Sequence, residues 1–232
     1  MTTLPLLAVM PAVRAAPTTA SLRVPSVRRS LPPSAAIVGP ITLETALLQA
    51  APSIRPAALE AALAAWNDLN SRGEISRSLL TVIDYSLPST TKRMWVFDLA
   101  SCRLLFHELV AHGKNSGGDL AQAFSNEMGS FMTSLGAFVT GGAYSGRNGY
   151  SLHLRGMDPG RNDRAEERAI VLHGAPYVSE AVAHDHGRLG RSFGCPAVRP
   201  AIAKTLIDVL KDHTLLYAWH TSIGEGRPLR GY

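Results

Sequence analysis

Between residues 56 and 73 the chain places apolar side chains at helical intervals. In PAALEAALAAWNDLNSRG, Leu59, Leu63, Trp66 and Leu69 fall on one face, with Pro56 at the start and Gly73 as the stop. The period then shortens to two. SLLTVIDYS (78–86), RMWVFDL (93–99) and CRLLFHELVAHG (102–113) are rich in β-branched and aromatic residues and predict three strands, the last two joined tightly through Ala100 and Ser101. From 114 to 167 glycine, serine and asparagine punctuate the chain, leaving GAFVTGGAYSG and GYSLHLRG as short strands between turns. ERAIVLHG (167–174) predicts a strand ending at His173 and Gly174. PAIAKTLIDVLKDH predicts a helix with Ile202, Leu206, Val209 and Leu210 opposite Lys204, Asp208 and Lys211, and TLLYAWH a closing strand. The elements add up to one mainly β domain with a few helices, packed as a sandwich or partial barrel.

Upstream the periodicity gives out. Residues 17–55 are rich in Pro, Ala and Ser and read as a tether, while 56–77 read as a helix leading into the domain at 78–232. Residues 1–16 carry an apolar run followed by Val13-Arg14-Ala15, which has the small-x-small form of a signal-peptidase site, so export is expected. No stretch reaches the roughly 20 apolar residues that span a bilayer.

Composition narrows the function classes. With 232 residues and 46% apolar side chains the chain can bury a substantial core. The net charge of +5 would suit an anionic partner, but Lys and Arg interleave with Asp and Glu. Aromatics make up only 6% and form no stacking stripe, which argues against a nucleic-acid partner. Only Cys102 and Cys195 are present, so each thiol needs its own explanation. Cys102 reads as a small buried apolar residue at the start of a strand.

Cys195 stands in GRLGRSFGCPAVRP, between glycine and proline and among Arg188, Arg191, Ser192 and Arg199. Electropositive, glycine-flanked surroundings are those of a reactive thiol. His173 lies 22 residues upstream at a strand end, where it would act as the base. Gly194 would leave backbone N–H groups open to an oxyanion. The helix after Pro200 would add its dipole to a nearby thiolate. Three alternatives stay open at this level. A Cys102–Cys195 bridge would make the chain an interaction domain. In an extended segment His184 and His186 point the same way and, with His173, would chelate zinc. A papain-like order would use His213 or His220, which follow the cysteine.

ERAIVLHG, a loop, and then GRLGRSFGCPAV resemble the murein L,D-transpeptidase catalytic domain, the YkuD fold, in the branch with a GRSxGCP motif. SLGAFVTGGAYSGRNGYSLHLRGMDPG resembles the segment before its catalytic strand, and the resemblance spans about 78 to 220. It implies a periplasmic, cofactor-free and metal-free enzyme acting on peptidoglycan stem peptides. Cys195 would be the nucleophile and His173 the base, oriented by the Gly174 carbonyl, with Ser192 and Gly194 on the oxyanion side. Arg191, Arg188 and Arg199 are candidate substrate anchors, and Tyr144, His184 and His186 candidate cleft residues. Acyl transfer to an amine would give 3-3 or 1-3 crosslinks, and transfer to water a carboxypeptidase or endopeptidase; a non-catalytic wall-binding domain is the third outcome. A monomer is assumed. The chain departs from many members at Phe193, where they have His, and at Ala197, where they have Arg.

Overall fold

In the computed structural model, which describes residues 42–225, the central strands are mostly apolar because alternate residues feed two different cores, with Thr81 and Asp84 of the first strand buried among them. The strands are β1 (Leu79–Asp84), β2 (Met94–Asp98), β3 (Arg103–Glu108), β4 (Gly136–Gly146), β5 (Gly149–Gly156), β6 (Val171–Gly174), β7 (Ala197–Val198) and β8 (Leu215–Trp219). Leu80 and Val82 of β1, Trp95 and Phe97 of β2, and Leu215 and Tyr217 of β8 pack on one side. Ile83, Met94, Val96, Leu216 and Ala218, their neighbours in sequence, pack on the other. A strand buried on both faces shows no polar alternation.

Helices cover the outer face. α1 (Leu43–Ala50) and α2 (Pro56–Ser71) contribute Leu47, Ala58, Leu59, Ala62 and Leu69 to the first core. The buried stripe of α2 runs through its alanines, and Leu63 and Trp66, expected at its centre, sit at its margin half-buried. Alanine there brings the helix axis close to the sheet. α4 (Pro200–Leu210) buries Ala203, Leu206, Ile207 and Leu210 in the second core.

The eight strands form one mixed sheet in the order β3-β2-β1-β8-β4-β5-β6-β7, parallel at β1/β8 and β6/β7. Its two edges nearly meet. The chain that leaves β3 runs on to pair with the chain around β7: the Ala111 N–H donates to Ala197 O at 2.8 Å, Ser192 N–H to His112 O at 3.0 Å, and Lys114 N–H to Ser192 O at 2.8 Å. The sheet is thereby rolled into a nearly closed barrel, the partial-barrel alternative.

Three expectations change. Helix α1 lies inside the stretch read as tether. The expected signal at 1–16 and the tether up to 41 lie outside the described residues. Of ERAIVLHG only the last four residues are strand, because the preceding segment is a run of turns ending at Ala169. Cys102 sits half-buried in the β2–β3 turn at φ +54°, and both cysteines are free.

A buried polar pair supports the closing segment from below. Arg93 is fully buried; its guanidinium donates to Val110 O at 3.0 and 3.1 Å, Leu87 O at 2.6 Å and His112 Nδ1 at 2.8 Å. Burial, reinforced by the Arg93 charge, pushes the His112 pKa from 6.5 down to about 4. Unfolding lets this imidazole take up a proton near pH 6.5, so its contribution to stability is full above that pH. It is lost progressively as pH falls toward 4, to a total of about 3 kcal/mol. Denaturant titrations across this range are expected to show that loss in the native protein and a flatter profile in His112→Gln. Equal slopes for the two proteins would assign the acid sensitivity to other groups.

Candidate active site

β6 and β7 are parallel neighbours with His173 opposite Ala197. Cys195 lies two residues before Ala197, so the two-residue period of an extended chain puts it on the side of His173. Both line one cleft of about 400 Å³. Gly174, Ala175, Pro176 and Tyr177 form the wall that continues from β6, Arg191, Ser192 and Phe193 the wall before the cysteine, and Arg147 and Asn148 reach in from the β4–β5 turn.

The backbone that presents the thiol depends on two glycines. Gly194 has φ +123°, and a Cβ there would stand 2.7 Å from Met132 O. A Cβ on Gly113 would stand 3.0 Å from the Gly194 α-carbon and 2.5 Å from Phe131 O. The two edges of the sheet thus touch glycine against glycine one residue from Cys195. Ser192 fixes the turn between them: its Oγ donates to Cys195 O at 2.6 Å and accepts the Gly194 N–H at 3.1 Å.

That turn alters the expected oxyanion site. The Gly194 N–H is committed to Ser192 Oγ, and the Ser192 hydroxyl to Cys195 O, so neither is open to substrate. The backbone N–H groups that act on the thiol are those of Val171 and of Cys195 itself.

His173 is held by its neighbour. Its Nδ1 lies 3.0 Å from Gly174 O, an acceptor, so Nδ1 carries the proton and Nε2 is the basic nitrogen. Burial lowers its pKa, partly offset by the Gly174 carbonyl. Burial raises the Cys195 pKa, opposed by the Val171 N–H and the Arg168 charge. Desolvation therefore works against charge on both side chains and favours the neutral thiol and the neutral imidazole. The Cys195 S–H donates to Ala169 O at 3.7 Å. The thiol is thus buried, not exposed, and the cation acting on it is Arg168, outside the motif that made it look electropositive.

The remaining candidates separate. Arg191 lines the cleft, its guanidinium donating to Gly117 O at 2.9 Å. Arg199 does not: it is bound bidentately by the buried Glu108 carboxylate at 2.6 and 2.8 Å. Arg188 and His186 line a different hollow beside Tyr177. His184 is exposed and pairs with Asp185 at 3.0 Å. Both histidines belong to α3 (Glu180–His186), where residues two apart diverge by about 200°, so the extended-segment geometry for zinc is absent. Tyr144 stacks on His153 with ring centroids 4.4 Å apart, and the cleft takes Arg147 and Asn148 from the same hairpin instead. The GRNG turn was the available sign of these two. The start of α4 packs against Gly174, where a Cβ would stand 3.4 Å from the Pro200 α-carbon.

A family described as the L,D-transpeptidase catalytic domain, YkuD_2, matches residues 50–219. The solved L,D-transpeptidase LdtMt1 in complex with imipenem aligns over 61% of this chain and 59% of its own, with 15% identity and a TM-score of 0.38. For an L,D-transpeptidase from Mycobacterium smegmatis the figures are 62%, 68%, 13% and 0.36. The chain thus spans about 59% of the length of the first of these. No curated protein matches.

The ion pair at Arg199 yields a test of its structural role. Arg199→Met leaves Glu108, with 9% of its side chain exposed, without its cation and is expected to cost about 2 kcal/mol of stability. Adding Glu108→Gln should recover most of it in a denaturant titration. A loss confined to substrate affinity, with stability unchanged, would return Arg199 to the substrate.

Proposed function

The chain belongs to the L,D-transpeptidase catalytic domain family, and on that premise we propose that it is a periplasmic peptidoglycan L,D-transpeptidase with Cys195 as nucleophile and His173 as base. The observation that carries this reading is the placement of both side chains in one cleft, with His173 Nδ1 committed to Gly174 O and Nε2 left basic. As Cys195 Sγ attacks the carbonyl of the L-centre in a stem peptide, Nε2 takes the thiol proton. The Cys195 N–H is the donor to the oxyanion. His173 then returns the proton to the departing D-residue's amine, leaving a thioester. An amine of a neighbouring stem attacks the thioester and loses its proton to His173, which passes it back to sulfur. A 3-3 or 1-3 crosslink results, according to whether the third or the first residue of the donor stem supplies the acyl group. Water in place of the amine makes the protein a carboxypeptidase or endopeptidase.

The cleft's charge supports such a donor. Arg147 and Arg191 line it, with no carboxylate among its lining residues, and stem peptides carry carboxylates. Its volume accommodates a few residues of peptide, not a folded partner.

Mass spectrometry of muropeptides incubated with the purified protein reads the reaction directly. The native protein is expected to generate crosslinked dimers, and Cys195→Ala and Cys195→Ser folded protein that makes none. His173→Gln should lose roughly a hundredfold or more in rate. Burial keeps His173 neutral below the usual imidazole range, so the acid limb of the rate profile should fall below pH 6.5. Dimers formed by Cys195→Ala would rule the mechanism out; shortened stems without dimers would mean hydrolysis, and unaltered muropeptides a binding domain.

A further inference from the structure

Two consecutive residues outside the cleft lining reach Cys195 and the glycine before it. Ala169 accepts the thiol proton at its carbonyl, 3.7 Å from Sγ. It does so from φ +53°, a left-handed conformation that residues with a Cβ seldom adopt. The turn imposes it: the Ala169 N–H bonds Glu166 O at 3.0 Å and the Ile170 N–H bonds Ala165 O at 2.9 Å. Backbone strain of this kind clusters at functional sites.

Arg168 precedes it. Its guanidinium donates to Met132 O at 2.6 Å, Ser125 O at 2.7 Å, Ser130 Oγ at 3.2 Å and Ser134 Oγ, all neutral acceptors. Among the described residues no carboxylate forms an ion pair with it; Glu127, which acts on it through space, is engaged by Arg164 at 3.0 Å. A Cβ built on Gly194 would stand 3.3 Å from Arg168 Nη2, so the guanidinium lies against the backbone that carries the thiol.

Among the groups around the sulfur, His173, Tyr85 and Tyr177 are neutral near pH 7, and Arg191 on the cleft wall spends its guanidinium on Gly117 O at 2.9 Å. Burial lowers the pKa of His173 and raises those of Tyr85 and Tyr177, the latter to about 12. Arg93, beneath, stacks on Tyr85 with its guanidinium 5.1 Å from the ring centre. The guanidinium whose charge acts on the Cys195 sulfur is that of Arg168.

We propose that residues 168 and 169 form a holder for the Cys195 thiol, in which the Ala169 carbonyl parks the resting S–H and the Arg168 guanidinium supplies the positive field into which the thiolate forms. The proposal rests on Cys195 being the nucleophile. On activation the S–H bond breaks, the proton bonds to His173 Nε2, and the electron pair stays on sulfur, facing an unneutralised charge in a poorly solvated site. Arg168 is thus a positioning residue that also ties down the 125–134 loop. The two duties are separable because only one of them needs charge.

The test follows iodoacetamide alkylation of Cys195 against pH in a Cys102→Ser background, a readout that needs no peptidoglycan. Arg168→Gln, which keeps donors and loses charge, is expected to raise the alkylation midpoint by about one pH unit, slowing the reaction near pH 7 roughly tenfold with the alkaline plateau unchanged. Arg168→Lys should restore most of the native midpoint. Glu127→Gln, a surface change independent of the folding of the Arg168 variants, should lower the midpoint by a few tenths of a unit by unmasking the guanidinium. An unmoved midpoint in folded Arg168→Gln, or one unmoved or raised in Glu127→Gln, would overturn the proposal. The alkylation profile stands whether or not muropeptides are crosslinked, so failure of the transpeptidase reading would be visible separately.

Discussion

The structure depends on how its sheet closes. β3 and β7 are the two ends of an eight-stranded sheet, and the segment 109–114 is what joins them, through the hydrogen bonds of Ala111, His112 and Lys114 to Ala197 and Ser192. This contact requires two backbones to meet at Gly113 and Gly194 with no room for a side chain on either. Closure and the geometry of the proposed catalytic site are therefore one feature. The residue after the second glycine is Cys195, and the strand that β7 joins on its other side carries His173. A change that opens the seam would cost stability and misplace the thiol together, and the buried Arg93–His112 pair beneath links that seam to the acid sensitivity of the fold.

Burial sets the electrostatics of the reaction. A thiol and an imidazole withdrawn from water both resist charging, which favours their neutral forms. That places a premium on fixed positive charge near the sulfur. The fold supplies it from Arg168, whose guanidinium is spent on carbonyls and hydroxyls and keeps its charge unneutralised. Arg199, by contrast, is neutralised by Glu108 and serves the β3–α4 seam. Between these two arginines, the partner decides the role.

The strand order of events was legible in the sequence wherever period and turn chemistry agreed. β4 and β5 begin and end where GAFVTGGAYSG and GYSLHLRG do, because glycines bound both. The pairing of a cysteine with an upstream histidine could be read from GRLGRSFGCP and VLHG, and the cleft contains both. What sequence could not show was partnership at a distance. Arg199 looked like an anchor because Glu108, 91 positions away, is invisible from GCPAVRP. Arg168 drew no notice within ERAIVLHG because its acceptors lie in the 125–134 loop. Helix α3 was missed because its seven residues bury none of their side chains and so leave no periodic trace. Gly194 was read as opening an amide, whereas the serine two residues before it closes that amide again.

The central claim is that Cys195 carries the acyl group. Intact-protein mass spectrometry of the protein mixed with a tetrapeptide stem, quenched in acid and followed by peptide mapping, tests it most directly. The account predicts a mass increase equal to the donor acyl group, mapped to the peptide containing Cys195 and absent from Cys195→Ala. Donor consumption with no adduct on Cys195, or an adduct on another residue, would contradict it.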